Sequence, residues 1–339
     1  MKVLLYTEGQ STLSKSGIGR ALLHQIKALE SAGVEVTLDP DDAFDLAHVN
    51  TIWAGTRSLV RKLKKRGIPV IVHGHSTYED FRESFRAWKL IEPWFDSNLR
   101  KAYSLADLIV TPTPYSQKLI ESYGFGVDVV AVSNGIDMAD YAPSSARQAA
   151  FRSAFGLRDD AKYVVGVGFP FVRKGILEFF ETARSFPDIK FFWFGSLQKI
   201  ATQLKVLSAI KRRPKNVIMP GYVKGDLIKG AYEGATAMLF PSHEETEGIV
   251  VLEALASRCP LIVSEAGAFS PWLKDGVNCL KGKDVEGYRA ALLKVLAGKY
   301  DEKMLEEGYK TAAERDLPRI GEELKAVYSS LLEKKGKLS

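Results

Sequence analysis

The chain has 339 residues, of which 46% are apolar and 26% charged, with a formal net charge of +6. That length exceeds what one hydrophobic core usually serves, so two domains are expected, and the composition excludes a disordered or fibrous chain. Two cysteines, Cys259 and Cys279, are too few for a disulfide framework and lack zinc spacing, which points to a reducing cytoplasm, while the basic balance calls for an anionic partner: nucleic acid, a phosphorylated substrate or a bilayer.

The first element is the apolar run KVLLYT, too short for a membrane span or a signal segment and ended by Glu8. It reads as a buried strand. A helix over Gly19 to Ala32 follows, then VEVTL, LAHVN, the helical RSLVRKLKKRG and PVIVHG, a βαβ rhythm that implies a parallel sheet. The polar stretch Met138 to Gln148, MADYAPSSARQ, sustains no apolar period and sets the limit of a first domain at 1–148. The rhythm restarts with KYVVGVG, a helix from about Gly175, IKFFWFG, NVIMPG, AMLFPS, a helix through Glu253, PLIVSE and NCLKG. These elements make a second parallel-sheet domain, 149–318. The last segment, 319–339, is helical by period and is expected to pack back on the first domain.

In open α/β sheets ligands bind outside the carboxyl ends of the strands, and the unusual residues gather at such ends. Gly17-Ile-Gly19 falls short of a dinucleotide fingerprint and has no Walker lysine after it. It reads equally as a tight turn and as an amide nest for an anion at a helix N-terminus. Arg173 and Lys174 stand at a helix start, where side-chain charge and helix dipole act on the same phosphate; alone they would read as a solvated basic turn. Glu245 lies in a loop after a strand and Glu253 in the next helix, eight residues on, so the pair can hold two parts of one hydroxyl-bearing ligand. Glu244 and Glu247 read as solvated loop charges. Asp39 to Asp42, DPDD, contains a D-x-D, but a polar turn accounts for it.

The stretches PSHEETEGIVVLEALASRCPLIVSEAG, VGVGFPFVRKGI, VSNGIDMADY and SGIGRALLHQIKAL together resemble the retaining glycosyltransferases of family 4 over nearly the whole chain. The resemblance implies the α/β fold named GT-B, two Rossmann-like parallel-sheet domains with a cleft between them. Its most specific piece is the Glu-x7-Glu motif, Glu245 to Glu253. It implies that Glu245 binds hydroxyls of the donor sugar with the amides of Gly248 and Ile249, and that Glu253 holds the ribose of a uridine diphosphate. Arg173 and Lys174, with amides near Gly17 and Gly19, would neutralise the leaving diphosphate, charge stabilisation that needs neither a metal nor another cofactor. Gly168 and Tyr222, at two further strand ends, complete the expected donor site. His75 in HGHST aligns with a histidine that contacts the donor sugar, whereas His73 reads as structural. Two departures stand out: Phe169 occupies the place where many relatives carry an arginine, and Glu247 one that is often aromatic.

KVLLYTEGQSTLSKSGIGRA and HGHSTYEDFRESF further resemble a Gram-positive branch that extends glucosyl-diacylglycerol to a diglycosyl-diacylglycerol. That branch implies UDP-glucose or UDP-galactose as donor, a glycolipid acceptor, and peripheral attachment to the inner face of the cell membrane. Ser58 to Arg66 fits an anionic surface: Arg61, Lys62, Lys64, Lys65 and Arg66 alternate with leucine and valine, as in a basic helix lying flat on lipid. Phe81, Phe85, Trp88, Ile91, Trp94 and Phe95 form an aromatic stripe that suits a core and a bilayer interface equally. Two other classes compete: a nucleic-acid binder, against which no binding motif is found, and a sugar-nucleotide epimerase, which would need no lipid. Within glycosyl transfer the alternative acceptor is a soluble or polyprenyl-linked saccharide.

Overall fold

The computed structural model of the chain describes residues 1–9 and 17–337. Ser14 to Ser16 of the SKSGIGR motif therefore lie outside the described residues. The chain forms two units: Met1–Glu79, Lys89–Asp137 and Arg315–Ser339 make the first, Asp80–Trp88 and Met138–Glu314 the second.

The first unit is a six-stranded parallel sheet in the order β2-β1-β3-β4-β5-β6. Its strands are β1 (Lys2–Tyr6), β2 (Glu35–Thr37), β3 (Leu46–Val49), β4 (Val70–His73), β5 (Leu108–Thr111) and β6 (Val129–Ala131). The inner runs LAHV, VIVH and LIVT are buried at every position, the pattern of strands covered on both faces. Helices α1 (Gly17–Ser31), α2 (Ala54–Lys65), α3 (Trp88–Tyr103) and α4 (Pro114–Ser122) connect them. The final helix, α12 (Leu317–Lys334), packs on α1 through Ile320, Leu324 and Leu331. Gly321 makes this crossing close: a Cβ there would lie 1.9 Å from the Ala28 carbonyl oxygen. The chain re-enters beside its point of exit, with the Ile136 amide on the Arg315 carbonyl at 2.9 Å and the Leu317 amide on the Ile136 carbonyl at 3.1 Å.

In the second unit β7 (Tyr163–Val167), β8 (Lys190–Phe194), β9 (Val217–Gly221), β10 (Ala237–Phe240), β11 (Leu261–Val263) and β12 (Leu280–Lys281) pair in the order β12-β11-β10-β7-β8-β9. This is the doubly wound order, and its switch point lies between β7 and β10. Phe179, Phe191, Trp193, Leu239 and Ile262 fill the core. The surrounding helices are α5 (Ser145–Ala154), α6 (Ile176–Arg184), α7 (Leu204–Lys211), α8 (Asp226–Glu233), α9 (Ile249–Ala256), α10 (Val285–Leu296) and α11 (Glu302–Ala313).

The division falls at Asp137–Met138 rather than after Gln148, because α5, capped by Ser144, packs against α8. It falls again at Glu314–Arg315 rather than at 318, where the chain pairs with Ile136. The segment Asp80–Trp88, expected in the first domain, belongs to the second unit: the Arg86 amide meets the Ala201 carbonyl at 2.6 Å and Gln203 donates to the Glu83 carbonyl at 3.2 Å. Here the aromatic stripe also breaks. Glu83 and Ala87 both have φ near 56°, uncommon for residues with a Cβ, so no helix runs from Phe81 to Trp94. Phe81 is buried, and the half-buried Phe85 lies against it and Phe171. Trp88 is half-buried and Phe95 buried, whereas Leu90, Ile91 and Trp94 are exposed.

Candidate functional site

At the switch point of the second unit the loop after β7 meets the loop after β10. The first carries Gly168, Arg173 and Lys174; the second, Pro241 to Gly248, leads into α9. Bonds to backbone carbonyls join them: the His243 amide and the Ser242 hydroxyl donate to the Arg173 carbonyl at 2.7 and 3.2 Å, and Arg173 Nη1 donates to the Glu244 carbonyl at 2.5 Å. Glu245 is thereby carried to Lys174, whose Nζ pairs with its Oε1, while Arg173 Nη1 stands 3.7 Å from the same oxygen. Ser242 adds a hydrogen bond of 2.6 Å. Burial pushes the Glu245 carboxyl upward, but Lys174, Arg173 and Ser242 outweigh it and hold the group ionised below the usual range. Lys174 is lowered, by burial first, with Glu245 opposing. Its stem crosses Gly168: a Cβ on that glycine would lie 3.5 Å from Lys174 Cδ.

Glycine at position 248 caps α9, so no side-chain oxygen of the cap covers the first amides, those the sequence reading assigned to Gly248 and Ile249. An anion or hydroxyl is favoured there. Inside the helix Glu253 is 1% exposed and takes a 2.9 Å bond from Tyr232 on Oε2. Tyr222 is partly exposed just beyond β9.

The Arg173 guanidinium is engaged by side chains of its own unit. Nε is taken by Ser84 Oγ at 2.7 Å and Nη1 by Asp80 Oδ1 at 2.7 Å, so the guanidinium ties the Asp80–Trp88 segment to the glutamate loop. Burial raises the Asp80 carboxyl, and Arg173 opposes the rise. Glu247 is a correction: it is 1% exposed, not a solvated loop charge, because the loop is drawn inward over Arg173. Glu244 is half-buried. Ser242 lies in the stretch PSHEETEG, and Asp80 and Ser84 in HGHSTYEDFRESF, but the sequence assigns no site role to these residues or to Tyr232.

His75, Gly17 and Gly19 lie in the first unit, Gly17 and Gly19 in the first turn of α1. His75 Nε2 is 3.0 Å from Asn50 Oδ1, and its ring stacks on His73 at 3.8 Å between centroids. His73 stacks in turn on His48 at 5.1 Å. Burial drives all three rings toward neutrality: His48 and His75 to about 3, and His73 well below the ordinary value. An unfolded histidine titrates near 6.5, so below that pH the unfolded chain takes up protons that the folded His48 and His73 refuse. Stability is then complete above pH 6.5 and falls as the pH drops toward 3, by up to about 1.4 kcal/mol per pH unit for each ring. Urea midpoints from pH 7 to 4.5 measure this; a flat profile would contradict the buried neutral rings.

Helix α2 presents Arg61, Lys62, Lys65 and Arg66 to solvent, and Lys64 is tied to Asp107 at 3.2 Å. Its apolar residues do not face lipid: Val60 and Leu63 are at most 2% exposed, since they close the sheet. The DPDD stretch is a turn, with the Asp41 amide on Asp39 and Asp42 paired with Lys2 at 2.8 Å. No group of three metal-ligating side chains is set for an ion among the described residues. No described helix is long and apolar enough to cross a membrane.

Comparison with known proteins matches residues 147–312 to the model "Glycosyl transferases group 1" and residues 40–140 to "Glycosyltransferase Family 4". The processive diacylglycerol alpha-glucosyltransferase of Acholeplasma laidlawii is 48% identical over 333 residues, which cover 98% of this chain and 99% of that protein. The alpha-monoglucosyldiacylglycerol synthase of the same organism is 24% identical over 69% of this chain and 62% of its own length. In fold the chain is similar to sucrose-phosphate synthase from Thermosynechococcus elongatus, with a TM-score of 0.82 at 15% identity, covering 98% of this chain and all of that one. It is also similar to Anabaena HepE in complex with UDP-glucose, with a TM-score of 0.76 at 17% identity, covering 97% and 100%. The two six-stranded parallel sheets, the switch-point glutamates and the full-length likeness agree: the chain belongs to family 4 of the glycosyltransferases and has the GT-B fold.

Proposed function

We propose that the chain is a retaining α-glycosyltransferase that moves a hexose from a UDP-sugar to glucosyl-diacylglycerol, giving a diglycosyl-diacylglycerol at a membrane surface. The observation that carries the reading is the 48% identity, over nearly the full length of both chains, to an enzyme named as a processive diacylglycerol alpha-glucosyltransferase. That name favours glucose over galactose as the hexose. An α product from an α-linked sugar nucleotide is net retention. In this reading Glu245 and the α9 amides hold sugar hydroxyls, Glu253 the ribose, and Lys174 the diphosphate, with Arg173 fixing the loop that presents Glu245. His75 takes a hydroxyl of the donor sugar. Neither metal nor cofactor has a part, since Lys174 and the helix N-terminus supply the charge stabilisation.

Attachment to an anionic inner leaflet is supported by the exposed basic face of α2 and by Leu90, Ile91 and Trp94, exposed beside Lys89 at the start of α3. Charge then comes from one helix and apolar side chains from another.

The test is mass spectrometry of lipids after incubation with UDP-glucose or UDP-galactose and anionic liposomes carrying diacylglycerol or glucosyl-diacylglycerol. One added hexose on glucosyl-diacylglycerol is the expected result; no mass gain on any lipid overturns the acceptor and turns the search to saccharides. Replacing Arg61, Lys62, Lys65 and Arg66 by glutamine is expected to lower liposome cosedimentation at least fivefold, and unchanged binding would remove α2 from the surface.

A further inference from the structure

Beneath His75 lies a closed run of polar side chains that no sequence motif singles out. Gln25 comes from α1, His48 from β3, Asn50 from the residue after it, His73 from β4 and Tyr328 from α12. Every one of them is at most 2% exposed. Asn50 Nδ2 donates to Gln25 Oε1 at 2.9 Å, and Gln25 Nε2 lies 2.8 Å from His73 Nδ1. His48 joins from the other side, with Nε2 3.1 Å from His73 Nδ1 and Nδ1 2.7 Å from the Tyr328 hydroxyl.

The chemistry of the amides gives this run a direction. An amide nitrogen only donates and an amide oxygen only accepts. Gln25 Nε2 therefore donates to His73 Nδ1, which is bare, and the His73 proton sits on Nε2. His48 Nε2, at 3.1 Å, faces the same single lone pair. At the near end the Asn50 oxygen can only accept, so the proton of His75 is on Nε2, 3.0 Å away. One chain of donors therefore runs from His75 through Asn50 and Gln25 to His73 Nδ1. The His73 Nε2 proton has no acceptor among the described residues.

We infer that Asn50 and Gln25 are positioning residues that hold His75 as its Nε2-protonated tautomer, so that an unprotonated Nδ1 is presented as a hydrogen-bond acceptor to a hydroxyl of the sugar donor. This rests on the reading of His75 as a donor-sugar residue. An acceptor nitrogen discriminates: it takes a proton from a hydroxyl and rejects a ligand atom that can only accept. Burial keeps the ring neutral, so the tautomer decides its character across the neutral pH range.

Long-range proton–nitrogen NMR of the full chain labelled with nitrogen-15 histidine tests this without turnover, the His75 signals being assigned by their loss in His75→Phe. Expected are a bare Nδ1 and a protonated Nε2 for His75, retention of that pattern in Asn50→Asp, which keeps the accepting oxygen, and its loss to mixed tautomers in Asn50→Leu. On addition of UDP-glucose the His75 Nδ1 resonance is expected to move upfield by at least 10 ppm. Asn50→Leu is further expected to raise KM for UDP-glucose about tenfold with a smaller change in kcat, and Asn50→Asp to restore it. A His75 protonated on Nδ1 would show that the chain runs the other way and would overturn the proposal. So would unaltered donor binding in an Asn50→Leu protein whose tautomer has changed. If wild type binds UDP-glucose with the expected resonance shift yet glycosylates no lipid, the acceptor reading fails and the tautomer assignment stands.

Discussion

In a Glu245→Ala variant, hexose transfer is expected to fall by on the order of 10²–10³-fold while the chain stays folded, the range seen when one preorganised polar group of an active site is removed. Glu245 is 6% exposed and is held by Ser242 at 2.6 Å and by Lys174. It is ionised because those partners outweigh its burial. A carboxylate so fixed is ready to accept hydrogen bonds from hydroxyls. The variant should separate sugar from nucleotide: affinity for UDP alone is expected to hold or rise, since Lys174 loses a competing anion, while the advantage of UDP-sugar over UDP disappears. Calorimetric titration with both ligands and initial rates on lipid measure this. Turnover near wild type would remove the central assignment, and a collapsed melting curve would move the residue from catalysis to folding. Glu245→Gln, which keeps the shape and one acceptor, is the control for the second outcome.

Gly175→Ala is expected to be severely damaging for so small a substitution near the site. Gly175 has φ of 72° between a single 3-10 turn and the first residue of α6, and its Cβ would lie 2.1 Å from the Pro241 carbonyl oxygen and 2.6 Å from the carbon. Both obstacles are backbone, so no rotamer change relieves them. Left-handed strain and the displacement together are expected to cost about 3 kcal/mol or more. The displacement also acts on function, for Pro241 begins the loop that brings Glu245 to Lys174. Thermal melts should show a fall of several degrees, and UDP-sugar titration a weakened donor; a melting temperature within one degree of wild type would show that the two loops are not locked at this point.

The sheets were legible because parallel strands buried on both faces must be continuous apolar runs, and LAHV, VIVH, YVVGV, FFWF and AMLF are such runs. Glu245, Glu253 and Lys174 were legible for a related reason: charge set beside a core-bound run at a strand end has few structural explanations. The patterns failed where closure is long-range. Helix α2 has the period of a lipid-facing helix, but an amphipathic period says only that one side is buried, and here the burying partner is the sheet of its own unit. The stripe from Phe81 to Trp94 has helical spacing, yet Glu83 and Ala87 turn the backbone left-handed and send Phe85 to Phe171.

The local code thus determined the elements, their parallel pairing and the identity of the charged residues at the strand ends. It did so because side-chain periodicity and strand burial are properties of neighbours in sequence. Only the tertiary structure decided that Asp80 and Ser84 meet Arg173, that Glu247 is buried, and that Tyr328 stands behind His48 and His73. Each of those contacts joins segments whose separation is set by how the sheets are wound, and a hydrogen bond between such segments leaves no period in the chain to be read.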